Sequence, residues 1–337
     1  MDVDQPGKAV HRVDELWFPD GNIIVQAGLA QYKVYRGTLR VARESSIFED
    51  MLSIPQPPSP DIDLVDGYPV VVLPDAEIER WPDTSQRSPA ELRSTMYTDV
   101  SVWGNKYAVD HLRRRALVHF TSQFRTTLEE WDSCAYRTNK ANWAPAEIIS
   151  WEAAPDNDAS FLLKCIQVAR EVEADWTMPM IFYFLTANFD VLGTRLFHGT
   201  IVNDVFVQIS LGDQERLVTG GEKQRNASSD ILHFLHSPPC ATCTTRLQCL
   251  ESISAAGRET AADLREVCCQ SLDLWSHTKS EWASFRGICA ACLKELKKQH
   301  MAARKKLWQD LPGIYGLQPW VELEKLKEEA IGDGLLT

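Results

Sequence analysis

Long apolar runs are missing from this chain. No stretch of about 18 apolar residues occurs in it, so no segment is expected to cross a membrane as a helix. The opening residues, MDVDQPGKAV, hold no apolar core and do not read as a secretory signal. Basic excess is missing too. Lys and Arg number 35 against 47 Asp and Glu, a formal charge of -12. A surface built to displace counterions from phosphate has the opposite balance, so nucleic acid is not an expected partner. The sequence also lacks G-x-S-x-G, H-E-x-x-H, G-x-x-x-x-G-K-S/T and G-x-G-x-x-G. Each would have placed a nucleophile, a zinc-bound water or a phosphate cradle at a known spacing. The eight His are scattered, and Glu129-Glu130 and Glu328-Glu329 are neighbours whose side chains diverge. Gly220-Gly221 reads as a turn, and no internal repeat or low-complexity tract occurs.

Apolar residues make up 44% of the 337 positions, enough to bury a core in one or two domains. Nine cysteines, an odd number, are present without a secretory leader. That combination points to a reducing compartment, cytoplasm or nucleus, where metal binding is favoured over a disulfide framework.

Residues 1–12 read as a disordered lead. Leu16-Trp17-Phe18 and Ile23–Ala27 flank Pro19-Asp20-Gly21-Asn22, and Asp-Gly between apolar runs signals a hairpin or tight turn. Tyr32–Arg36 forms a second alternating strand. Leu39, Val41 and Ala42 then fall on one side of a helical run, and Ser45 starts another. Residues 55–67 carry four prolines and must be a loop. Tyr68–Leu73 is a short apolar strand, and Trp81–Ser94 is polar. Helices are expected over about 99–108 and 109–121, with Arg113–Arg115 on a solvated face. The second half reads as mainly helical over Phe161–Val172, Met178–Leu192, Ser271–Trp282 and Leu293–Leu307. Within it Lys223–Asp230 reads as a loop and Leu311–Trp320 as a turn-rich closing segment. The basic run Lys294–Lys306 is read as a solvated helix face. Trp131, Trp143, Trp151 and Trp176 are expected to anchor packing.

Tyr32, Val34, Tyr35, Arg36, Leu39, Ser45 and Phe48, followed by Met51 and Leu52, resemble the second strand and first helix of a BTB/POZ domain. Lys106-Tyr107-Ala108-Val109 and Leu112 are similar to that family's later helix pair. With WFPDGN and Leu112–Leu117, the chain resembles in particular the BTB proteins abundant in mushroom-forming fungi. The resemblance covers roughly residues 13–132. It implies an α+β fold: a BTB/POZ-like domain over 13–133, atypical at 76–98, then a mainly helical domain over 134–337 with a Cys-rich segment at 233–292. It implies partner binding or homodimerisation through Leu16, Trp17, Phe18, Asn22, Tyr35 and Arg36. There are departures. Tyr35 stands where the family usually has His, and a phenol can still hydrogen-bond there. Asn22 stands where many dimers bury a carboxylate opposite the position of Arg36. A buried arginine without its partner costs several kcal/mol, so Asp14 or Asp20 supplies the charge or Arg36 faces water. The polar stretch between Leu73 and Val100 replaces an apolar helix and strand, which makes cullin docking doubtful.

Cys240-Ala-Thr-Cys243 and Cys289-Ala-Ala-Cys292 stand out. Two such pairs can close a tetrahedral zinc site with zinc–sulfur distances near 2.3 Å. The 45 intervening residues exceed the usual ribbon spacing, so the chain between must fold back. Cys249, Cys268, Cys269, His233 and His236 are alternative ligands, and Pro238-Pro239 suits a rigid knuckle. Buried thiols acting as small hydrophobes form an equal reading. A redox pair is weakened because neither pair sits at the start of a helix that follows a strand in a βαβ pattern. Pro239-Cys240 to Cys243 resembles half of a zinc deaminase signature, but no His is followed two residues later by Glu. The leading expectation is therefore a non-enzymatic interaction protein, with a structural zinc as one of two equal readings of its cysteines. A cullin-ligase substrate adaptor and a zinc or thiol enzyme in the second half stand as alternatives.

Overall fold

Alternation along Ile23–Val34 builds the amino-terminal sheet. In the computed structural model, residues 10–35, 64–73, 110–122, 124–135, 159–187, 192–202, 205–267, 271–275 and 280–332 are described. Strands β2 (Ile23–Ala27) and β3 (Ala30–Val34) pair antiparallel with Ala27 opposite Ala30. Gly28 takes the turn at φ 56°, a left-handed conformation that suits glycine. Strand β1 (His11–Trp17) runs parallel to β3 and does not pair with β2. The Asp-Gly segment is thus a tight turn and not a hairpin. Its reason is close approach: a Cβ on Gly21 would lie 2.9 Å from Lys33 Cγ and 3.0 Å from the Lys33 carbonyl oxygen. Strands β4 (Leu64–Val65) and β5 (Tyr68–Leu73) complete the order β1-β3-β2-β5-β4, with β5 parallel to β2. Ile23, Ile24, Ala30 and Tyr32 are buried. Lys33 is also buried, and its ammonium donates to the Pro19 carbonyl at 2.9 Å while lying 4.4 Å from the Tyr68 ring centre. Helix α1 (Asp110–Thr121) buries Ala116, Leu117 and Phe120 and exposes Arg114. The helical runs after β3, residues 74–109, Trp143 and Trp151 lie outside the described residues, and the cullin-docking question lies there with them.

Contacts divide the chain between Phe120 and Thr121, earlier than the expected boundary at 133. The cause is α2 (Leu128–Ala135), which packs into the second unit. Trp131 meets Tyr183, Phe184 and Trp308, with ring centres 5.7, 5.8 and 6.5 Å apart. Asp132 grips Arg304 with both oxygens, at 2.6 and 3.2 Å.

The second unit is mainly helical. Helices α3 (Ala159–Glu171) and α4 (Met178–Ala187) follow the apolar periodicity, and α4 is buried along Met178–Thr186. A short helix α5 (Arg195–His198) leads to a hairpin, β6 (Thr200–Val202) and β7 (Val205–Val207). Helix α6 (Leu211–Leu232) is capped by Ser210, whose hydroxyl accepts from the Asp213 N–H at 3.1 Å. Helices α7 (Arg246–Val267), α8 (Ala290–Ile314) and α9 (Trp320–Ile331) follow.

Three expectations fail here for physical reasons. Gly220-Gly221 lies inside α6, not in a turn, because the Tyr315 ring fills the space a Cβ on Gly220 would need. Gly221 similarly faces Thr186. Lys223–Asp230 is helix, not loop. Its inward positions Gln224 and Ser228 are polar but satisfied. Gln224 donates to the Tyr183 carbonyl and accepts from the Tyr315 hydroxyl, and Ser228 meets Ser271 at 2.6 Å. Among the described residues around Ser271–Trp282, short 3₁₀ turns at Ser271–Asp273 and Ser280–Ser284 stand where a helix was expected. The closing segment is more helical than expected, since α8 continues through Pro312. Proline removes the bond that the carbonyl four residues back would accept. That carbonyl, of Trp308, accepts from the Trp320 indole at 2.6 Å instead, and the two indoles stack.

The basic run divides by face. Lys294, Lys297, Lys298, Lys305 and Lys306 are exposed, but His300 and Arg304 are buried. Arg304 has no exposure, and its Nε donates to the Leu272 carbonyl at 3.0 Å. Removing its counter-charge leaves a buried cation, so Asp132→Ala is expected to cost about 3–5 kcal/mol in denaturant unfolding. A second pair joins α3 to α6: Arg170 reaches Asp213 at 2.8 Å and Asp175 at 2.7 Å. Burial works to raise the Asp213 carboxyl, but Arg170, Ser210 and Arg216 outweigh it and hold it below its ordinary value. A carboxylate lowered in the folded state stabilises fully above its unfolded pKa of about 3.9 and loses that contribution as pH falls below it. The acid limb of a stability–pH curve should therefore flatten in Asp213→Asn, which should also be less stable at pH 7.

Candidate metal centre

Three chain segments bring their cysteines to one place. After the buried Pro239, the Cys243 N–H bonds to the Cys240 carbonyl at 3.1 Å, closing a knuckle. Ser237 ties the approach to α8 by donating to Gln299 at 2.8 Å. Cys249 sits in the first turns of α7, fully buried, with the Thr245 hydroxyl 3.3 Å from its sulfur. Cys289 is the N-cap of α8 and Cys292 lies in its first turn. Gly287, at φ 77°, turns the chain into this second knuckle, close against Gln248.

The sulfurs of Cys243, Cys249, Cys289 and Cys292 all lie within 4.8 Å of one another. The Cys243–Cys289 separation is 3.8 Å. A tetrahedron with metal–sulfur bonds of about 2.3 Å has edges of about 3.8 Å, so the spacing suits a single four-coordinate ion. An iron–sulfur cube holds its cysteine sulfurs farther apart, because inorganic iron and sulfide stand between them. Backbone donors point at the sulfurs: Cys289 N–H to Cys249 at 3.3 Å, Cys292 N–H to Cys289 at 3.5 Å, and Cys240 N–H to Cys292 at 3.4 Å. Such bonds favour the charged, metal-binding form.

The two Cys-x-x-Cys pairs thus converge across their long gap. The mutually close set takes Cys249, while Cys240 lies beside it with its sulfur 3.6 Å from that of Cys292. His233 and His236 are exposed and outside the cluster, and Cys268 and Cys269 lie outside the described residues. The signal for Cys249 was the Thr244-Thr245 pair, hydroxyl residues ahead of a helix whose first turns return a cysteine to the knuckle.

With no cation among them the thiols differ sharply. Donation from the Cys292 and Thr244 backbones lowers Cys289 to about 6. Burial pushes Cys292 well above its ordinary value and also raises Cys243. The Thr242 hydroxyl lowers Cys240.

The expected partner-binding residues occupy a different place, in the amino-terminal unit. Phe18 stacks on Tyr35 at 5.4 Å, and the Tyr35 hydroxyl donates to Asp20 at 2.5 Å. That bond raises the Tyr35 phenol. Arg12 covers the Trp17 ring at 4.5 Å, and Asn22 is exposed with its N–H on the Val34 carbonyl. The Leu16 side chain and Arg36 lie outside the described residues, so the pairing expected for Arg36 does too.

Comparison with models of known families, with characterised proteins and with solved structures finds no match in any of the three. The chemistry of the cluster therefore stands on its own geometry. In chelator-treated protein at pH 7, brief alkylation should label Cys289 well before Cys292, read by peptide mass mapping. Equal labelling would contradict the split between them.

Proposed function

We propose that this chain is a non-enzymatic protein-interaction protein, whose amino-terminal BTB/POZ-like module self-associates or docks a partner and whose helical second unit is clasped by a structural zinc ion. The observation that carries the reading is the closed thiol set. Four sulfurs within 4.8 Å of one another can fill all four positions of a tetrahedral ion, leaving none for a water or substrate; an ion so held fastens α7 to α8 and serves structure. Zinc fits this donor set better than the hard cations, which take oxygen ligands.

Two surface features support interaction. Strands β2, β3 and β5 form a mixed sheet, with β2–β3 a hairpin and β5 parallel to β2, and Phe18 is exposed beside Tyr35. In the second unit Ile201 and Phe206 are direct cross-strand partners on β6–β7, 68% and 59% exposed. Their neighbours Val202 and Val207 are buried. Large apolar side chains paired on an outer face are the usual material of a protein contact.

Elemental analysis of purified protein should find one zinc per chain. Light scattering should find twice the chain mass, reduced to the monomer by Phe18→Glu with zinc unchanged. A reduced protein whose unfolding midpoint does not fall when its zinc is removed would defeat the clasp, and a strict monomer at all concentrations would defeat self-association.

A further inference from the structure

The cluster contains one more thiol than a tetrahedral ion uses, and that thiol is placed for a purpose. Cys240 stands outside the mutually close set, yet its sulfur is 3.6 Å from Cys292, nearer than the 3.8 Å between Cys243 and Cys289. It is half-buried and lies on the knuckle, with the Thr242 hydroxyl 3.5 Å away. Cys249 and Cys292 are almost fully enclosed. Cys243 and Cys289 are half-buried too, but they belong to the close set, so with an ion bound Cys240 is the uncoordinated thiol of the cluster that an oxidant dissolved in water meets.

Resting on the structural-zinc reading, we propose that Cys240 is a release thiol: a hydroperoxide oxidises it, it joins Cys292, and the ion loses one of its four ligands. The Cys240 thiolate attacks one oxygen of hydrogen peroxide. The O–O bond breaks, a Cys240 sulfenic acid forms, and the other oxygen leaves as hydroxide and takes up a proton to become water. The Cys292 thiolate then attacks the Cys240 sulfur. An S–S bond forms and the S–O bond breaks. The departing hydroxide takes up a second proton, giving a second water. Two cysteines have given up two electrons and peroxide has accepted them. Three thiolates, Cys243, Cys249 and Cys289, are left to the metal. Closing 3.6 Å to a disulfide of about 2.05 Å needs only a small movement of the knuckle.

This placement separates metal release from unfolding. The bond that displaces the ion ties two of the three segments that the ion tied, the knuckle and the start of α8. The oxidised chain stays clasped there while the α7 contact through Cys249 is freed.

The experiment uses the full chain, with zinc counted before treatment. Hydrogen peroxide is then added, release is followed with a chromophoric chelator, and disulfides are mapped by mass spectrometry. Wild-type protein should start with one zinc, release it, and show a Cys240–Cys292 bond while keeping its helical circular dichroism. Cys240→Ser should bind one zinc as before and release it more slowly by roughly tenfold or more. Release from Cys240→Ser at the wild-type rate overturns the proposal, as does a mapped disulfide that omits Cys240. Loss of zinc binding in untreated Cys240→Ser also overturns it, because Cys240 would then be a ligand. Absence of zinc from untreated wild-type protein is instead the failure of the structural-zinc reading. Cys249→Ser serves as the control and should fail to hold the ion from the start.

Discussion

Four thiols with their sulfurs within 4.8 Å of one another face an electrostatic constraint that the surrounding fold has to satisfy. They cannot all be charged without a cation among them, because like charges at that distance repel strongly in a partly dry site. They can share the space as protonated thiols or as thiolates around a metal. The backbone leans toward the second state, since three N–H groups are aimed at sulfurs that gain from such bonds only when charged. The same region holds one thiol lowered to about 6 and another pushed far the other way. That split is what a preorganised thiolate site becomes when the compensating charge is taken out.

Helix α8 carries this constraint into the rest of the second unit. Its N-terminus holds Cys289 and Cys292, where the helix dipole also favours negative charge. Midway, Arg304 reaches Asp132 of α2 across 172 residues of sequence. Beyond its end, Tyr315 lies over Gly220 and bonds into the Gln224 network of α6. One helix thus makes a thiol, an ionic and a hydrogen-bonded attachment to three different segments. Each is the kind of contact that is costly to leave half made.

Much of this was legible in the sequence, and what was not has a common cause. The helices with apolar periodicity, α3 and α4, and the strands Ile23–Ala27 and Tyr68–Leu73 follow their patterns closely. Convergence of the two Cys-x-x-Cys pairs was one of two equal readings, and the close set takes Cys249 in place of the expected Cys240. The failures fall where the interior is polar or glycine-lined. Gln224 and Ser228 face inward on α6, and Gly220 makes room for a tyrosine, so the stretch looks like a loop to any rule that equates core with apolar residues. Arg304 was hidden in the same way, as one cation within a run of exposed lysines. The domain boundary moved because Trp131 and Asp132 find their partners far along the chain, which local patterning does not record.

The arrangement of the thiols also bears on why five of them stand together. A structural ion needs four, and burying a fifth costs nothing if it packs as a small apolar group. Cys240 is not packed that way. It lies at the accessible edge, its own N–H bonded to the Cys292 sulfur and its side chain turned to the same atom. A residue that both steadies a ligand through its backbone and stands ready to capture that ligand through its side chain couples the stability of the centre to the redox state around it.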